Sequence, residues 1–79
     1  MEEKDMTIYD LEEEQKFKIL RVKLTGEIGK RLADMGFISG ATGVVVRSAL
    51  FGSPLQINLN GCNISLRKKE ARGIEVEPL

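Results

Sequence analysis

The chain has no histidine and no tryptophan, one cysteine, two prolines, one tyrosine and three phenylalanines. Each scarcity closes off a class of chemistry. Without imidazole, and with Cys62 as the lone thiol, the usual donors of a transition-metal site are missing. Carboxylates alone are a poor substitute here, because Glu12, Glu13 and Glu14 are consecutive and cannot all converge on one ion. The same absence removes the Ser-His and Cys-His nucleophile pairs, and no Gly-x-x-x-x-Gly-Lys-Ser/Thr phosphate loop occurs. Nothing in the chain reads as an enzyme or as a cofactor site. A single thiol also excludes an intrachain disulfide framework and fits a reducing compartment. No apolar run approaches the roughly 18 residues that span a bilayer. The acidic start is the reverse of a signal peptide, so the expected location is cytoplasmic, without direct membrane insertion, and the sequon Asn63-Ile64-Ser65 is read as chance.

What is present describes one small globular domain. At 79 residues, 42% hydrophobic and 30% charged, the chain lies near the lower limit for a single core. Twelve basic and twelve acidic residues cancel, so no global field attracts nucleic acid. The cancellation is uneven: Glu2, Glu3, Asp5, Asp10 and Glu12 to Glu14 precede a basic segment of Lys16, Lys18, Arg21, Lys23, Lys30 and Arg31. These read as solvated faces that attract each other weakly. Residues 1–6 are expected to be a charged, frayed start, and residues 7–79 the single domain.

Along the chain, Thr7 and Asp10 predict a capped single helical turn that carries Ile8 and Leu11 to the core. From Phe17 the pattern becomes β. Phe17 and Ile19 share one parity and Leu20, Val22 and Leu24 the other, a change of phase expected of a β-bulge. Thr25 or Gly26 opens a helix with Glu27 in its first turn. Ile28, Leu32 and Met35 fall at i, i+4 and i+7, an apolar stripe expected to plug one end of a barrel. Gly29, costly inside a helix, marks a close backbone approach. Gly36 is placed to end the helix in a left-handed conformation, and Ser39-Gly40 supplies the next turn.

Thr42 to Phe51 reads as a long strand, broken by Gly52-Ser53-Pro54. Asn60-Gly61 is the favoured pair for a two-residue type I′ hairpin. Folding there sets Leu59 opposite Cys62, Ile57 opposite Ile64 and Leu55 opposite Leu66. All the apolar residues, Cys62 included, then share the inner face. Lys68 to Arg72 is a short turn, and Ile74 and Val76 alternate with Glu75 and Glu77 in a last strand that Pro78 ends. The result is a mainly β fold of about five strands, with one short helix after the first long strand. A curled antiparallel sheet closing into a small barrel satisfies this pattern.

The residues left for function lie on the surface. Leu50 and Phe51, beside Gly52, Ser53 and Pro54, put two large apolar side chains at a hairpin tip. They either fold over the barrel end or form a sticky patch for a partner. Arg67 has outward parity; it either pairs locally with Glu70 to order the turn or serves as a partner-binding cation. Arg31 borders the helix stripe and can cover apolar surface with its stem.

In order and spacing, these motifs resemble the ferrous iron transport protein A (FeoA) family. The family pattern runs through an early Leu, Arg-Leu-x-x-Met/Leu-Gly-x-x-x-Gly, a Gly-x-Pro loop, Leu-Arg-x-x-Glu-Ala and a terminal Ile-x-Val. Here these are Leu11; Arg31, Leu32, Met35, Gly36 and Gly40; Gly52 and Pro54; Leu66, Arg67, Glu70 and Ala71; and Ile74 and Val76. Two departures stand out. The glycine usual before the first strand is missing from Glu12-Glu13-Glu14-Gln15, and Ala49-Leu50-Phe51 replaces a proline usual before the loop.

The resemblance implies an SH3-like barrel and a non-enzymatic cytoplasmic protein that assists or regulates a membrane ferrous iron transporter. Its implied partner is the cytoplasmic region of that transporter, which carries a GTPase-like domain, and docking is expected at Leu50, Phe51, Gly52, Ser53, Pro54 and Arg67. Leu32, Met35, Gly36, Gly40, Asn60, Gly61 and Glu70 then serve as structural signature residues. No cofactor, metal or nucleic acid is expected, and weak self-association stays open. Two alternatives remain. One is a stand-alone SH3-like peptide-binding module, although such grooves are aromatic-lined when they recognise proline. The other is a small nucleic-acid-binding barrel using Lys16, Lys18, Lys23, Lys30, Arg67, Lys68 and Lys69, opposed by the zero net charge and the missing stacking platform.

Overall fold

In a computed structural model, residues 6–49 and 54–79 are described. They form five strands in one antiparallel sheet: β1 (Lys16–Val22), β2 (Thr42–Arg47), β3 (Leu55–Leu59), β4 (Cys62–Leu66) and β5 (Ile74–Pro78), in the order β4-β3-β2-β1-β5. A helix, α1 (Gly26–Asp34), follows β1, as the sequence suggested. The short turn expected at Lys68 to Arg72 is a single turn of helix, α2 (Lys68–Arg72). Before β1, Ile8–Asp10 forms one 3₁₀ turn, closed where the Asp10 carboxylate accepts the Thr7 backbone N–H at 3.0 Å and its hydroxyl at 3.2 Å.

Alternation along the strands builds one core. Phe17 and Ile19 of β1, Val45 of β2, Leu55, Ile57 and Leu59 of β3, Leu66 of β4 and Ile74 and Val76 of β5 are buried together with Ile8, Leu11 and Ala71. The expected change of phase in β1 is present as a register shift between Ile19 and Arg21 in the pairing with β5. A second shift lies between Val45 and Arg47 in the pairing of β2 with β3. Bulges of this kind bend strands, and here they let a short sheet curl around its own inner face. β2 ends at Arg47 and so is shorter than the expected run to Phe51. The β5 edge is covered by the start of the domain: Val76 N–H donates to the Met6 carbonyl at 2.9 Å, and Thr7 bridges Glu75.

The β3–β4 hairpin has the anticipated register, with Leu55 opposite Leu66, Ile57 opposite Ile64 and Leu59 opposite Cys62. Asn60 at φ 53° and Gly61 at φ 86° supply the left-handed pair that a type I′ turn needs. Cys62, however, is exposed rather than in the core. Leu59 is shielded at the hairpin end, since a Cβ on Gly36 would lie 3.5 Å from its Cδ2 and one on Gly43 3.3 Å from its Cδ1. Cys62 belongs to the outermost strand, and burial along β4 fades from Leu66 through half-buried Ile64 to exposed Cys62.

The α1 stripe is also only partly buried. Leu32 lies in the core, whereas Ile28 and Met35 are exposed, so the helix does not plug the barrel with all three. Its C-terminal turn supplies the missing anchor. Gly36 N–H donates to the Ala33 carbonyl and Phe37 N–H to the Leu32 carbonyl, each at 3.0 Å. With Gly36 at φ 105°, this is a Schellman closure, which brings the residue after the glycine back over the last helical turn. Phe37 is fully buried there beside Leu32 in the core cluster. Gly29 faces the Leu24 carbonyl so closely that a Cβ would lie 2.3 Å from its oxygen, the close approach its position implied.

Candidate docking groove

The end of β4 and the start of α2 meet the flank of α1 at a groove of about 650 Å³ lined by Ile28, Arg31, Pro54, Ser65, Arg67, Lys69 and Glu70. Two expected partner-contact residues, Pro54 and Arg67, therefore share one concavity and are both exposed. Leu50, Phe51, Gly52 and Ser53, the rest of the expected patch, lie outside the described residues. Ile28 was expected to face the barrel end, Lys69 was placed only in the nucleic-acid alternative, and Ser65 was given no role at a docking surface. The alternation Ser65-Arg67-Lys69, from the outward face of β4 into α2, was the available signal for the last two.

Glu70 organises the groove wall. Its Oε1 accepts the Arg67 backbone N–H at 2.9 Å, capping α2, and its Oε2 lies 3.4 Å from Arg31 Nη2. The local Arg67–Glu70 pair is thus a backbone cap, and the ion pair goes to Arg31 on α1 instead. That leaves the Arg67 guanidinium and the Lys69 ammonium without an ion-pair partner among the described residues. The other cations of α2 point elsewhere. Lys68 Nζ and the Arg72 guanidinium sit 5.7 Å and 5.6 Å from the Tyr9 ring centroid, within cation–π range.

A second ionic cluster lies on the opposite edge. Glu75 is buried despite its outward parity, with Arg21 Nε 3.0 Å from its Oε1 and Lys23 Nζ 2.8 Å from its Oε2. Thr7 pairs with the same residue in an antiparallel bridge, a covering that sequence alternation alone did not show. Among the described residues no group of three or more Cys, Asp or Glu side chains could hold a metal ion. No described helix is long and apolar enough to cross a membrane.

A family model for the FeoA domain matches residues 6–78. A Fe(2+) transport protein A/Fe(2+) transporter FeoB fusion protein of Porphyromonas gingivalis is 41% identical over 59 residues, 75% of this chain and 7% of that protein. The iron(II) transport protein A structure from Clostridium thermocellum superimposes with a TM-score of 0.87 at 35% identity, covering 94% of this chain and 46% of that one. FeoA from Stenotrophomonas maltophilia, solved as a complex with zinc and named a procaryotic SH3 domain protein, superimposes with a TM-score of 0.82 at 25% identity. That alignment covers 91% of this chain and 89% of the other. The chain therefore spans a small fraction of the fusion protein and less than half of the Clostridium chain. Its five-stranded antiparallel fold, with one helix after the first strand, is that of the SH3-like FeoA proteins. With the family match running across nearly every residue, the chain belongs to the FeoA family.

Proposed function

We propose that this chain is a non-enzymatic cytoplasmic accessory domain that assists or regulates a ferrous iron transporter by docking to the transporter's cytoplasmic, GTPase-like part. The observation that carries this reading is the fusion relative, in which a segment like this chain shares a polypeptide with a transporter named FeoB. Fusion holds two modules at high effective concentration, so it costs nothing when they already work in contact. The sequence contains no histidine for a Ser-His or Cys-His pair, which fits a role exercised through protein surfaces.

The contact is assigned to Leu50, Phe51, Gly52, Ser53 and Pro54, together with Arg67. Two large apolar residues next to a Gly-Ser-Pro segment are the sequence pattern of an apolar patch that a partner covers. A pull-down of the transporter's cytoplasmic region with this chain tests the reading. Binding is expected for the wild type and loss of it for the double variant Leu50→Glu, Phe51→Glu. Undiminished binding by the double variant removes the tip from the interface, and no binding by the wild type removes the docking function itself.

A further inference from the structure

We propose that the groove between α1 and α2 receives an extended acidic peptide segment of the partner protein, anchored by one apolar side chain. Its wall carries three cations, Arg31, Arg67 and Lys69, against one carboxylate, Glu70. That carboxylate is already spent on the Arg67 backbone N–H and on Arg31. The two cations left over, Arg67 and Lys69, have no ion-pair partner among the described residues, and both are exposed. The local excess of positive charge arises in a chain of zero net charge, so it is a property of this site and not of the molecule.

The rest of the lining selects a peptide over other anions. Ile28 and Pro54 give the groove exposed apolar surface, which a polyphosphate backbone would leave unused and a Leu or Phe side chain would cover. Ser65 adds a hydroxyl to the lining, suited to a backbone or side-chain polar group. Arg67 can take a carboxylate through two parallel N–H donors, and Lys69 a second one as a point charge. Among the described residues no aromatic platform for stacking bases lines the groove.

The proposal deepens the docking reading and rests on it only for the identity of the protein that supplies the segment. The test therefore uses synthetic probes. An array of octapeptides, each with four Asp or Glu residues and one Leu or Phe, is compared with the same array carrying Asn and Gln instead. Binding to folded wild-type protein is expected for a subset of the acidic probes and for none of their amide counterparts, with affinity falling as salt rises. Arg67→Glu with Lys69→Glu should weaken the best probe roughly tenfold or more. Lys16→Glu with Lys18→Glu, on β1 outside the groove, should leave it within about twofold. Circular dichroism confirms that each variant is folded. The proposal is overturned if no acidic probe binds, if amide probes bind equally, if the groove variant binds like wild type, or if a single-stranded oligonucleotide binds as tightly as the best peptide. Acidic-probe binding without transporter binding would leave the groove standing and remove the transporter as its partner.

Discussion

Arg31 on α1 and Glu70 on α2 meet across the groove, with Nη2 3.4 Å from Oε2, although they are 39 residues apart in sequence. Their contributions to stability are unequal. The Arg31 side chain is 66% exposed, so the ion pair itself is worth little, about 0.5 kcal/mol. Glu70 also accepts the Arg67 N–H that opens α2, and losing such a cap costs about 1 kcal/mol. Urea denaturation should therefore rank Glu70→Ala as clearly more destabilising than Arg31→Ala. Glu70→Gln, which keeps an acceptor for the N–H, should fall between them. Equal losses for Glu70→Ala and Arg31→Ala would show that the ion pair, not the cap, holds this corner.

Glu14, in the Glu12-Glu13-Glu14-Gln15 stretch that lacks the glycine expected before β1, holds a left-handed backbone at φ 70°. The conformation is enforced from both sides: Glu14 N–H donates to the Val45 carbonyl at 2.7 Å, and Val45 N–H donates to the Gln15 carbonyl at 2.9 Å. A side chain held there costs about 1–2 kcal/mol, partly offset by the greater unfolded-state entropy of glycine. Glu14→Gly should thus stabilise the domain by about 0.5–1 kcal/mol, and Glu14→Val, branched at Cβ, should destabilise it. Thermal melts of the two variants check the sign, and a loss on Glu14→Gly would mean that the carboxylate makes an interaction worth more than the backbone strain.

What the sequence made legible was whatever depended on local periodicity. The Leu55-Ile57-Leu59 alternation, the Asn60-Gly61 turn, the Thr7–Asp10 closure and the phase change in β1 each rest on residues within one or two elements, and all are present. What it did not show depended on neighbours distant in the chain. Ile28 and Met35 share a helical stripe with Leu32, but only Leu32 meets the sheet, while Phe37 folds back beside it. Glu75 has outward parity and is buried all the same, because Arg21 and Lys23 from β1 and its flank close over it. The groove was half legible: Arg67 and Pro54 were marked by motif, whereas Ile28 and Lys69 join them only through the packing of α1 beside α2.

Gly29 faces the Leu24 carbonyl with no room for a side chain, since a Cβ would lie 2.3 Å from the oxygen. Alanine is favoured over glycine inside a helix by about 1 kcal/mol, so propensity alone predicts a gain from Gly29→Ala. The obstacle is backbone and cannot rotate away, so the helix must shift instead, at a cost of about 1–3 kcal/mol. Gly29→Ala is expected to be net destabilising in urea melts. A net gain would mean that α1 can move away from the end of β1 without loss of packing.

Cys62 is exposed beside the Asn60-Gly61 turn, on the strand at the sheet margin. Native protein should therefore react with a thiol reagent such as Ellman's reagent about as fast as the urea-unfolded chain does, giving one thiol per chain. Cys62→Ser should change stability by no more than about 0.5 kcal/mol, as for other exposed surface positions. Strong protection of the thiol in native protein would instead place Cys62 in the core or under a second molecule.

Leu32 and Met35 belong to the same helical stripe but should respond very unequally to truncation. Leu32 is 1% exposed and lies in the core cluster with Phe37, whereas Met35 is 41% exposed. Leu32→Ala removes buried methyl groups and leaves a cavity, at a cost of about 2–5 kcal/mol. A domain of this size has only about 3–5 kcal/mol to lose, so the variant should be largely unfolded at 37 °C by circular dichroism. Met35→Ser removes surface already in water and should stay within about 0.5 kcal/mol of wild type. Comparable losses at both positions would show that α1 presses its whole stripe against the barrel, and that the Gly36 turn is not what sets which side chain goes in.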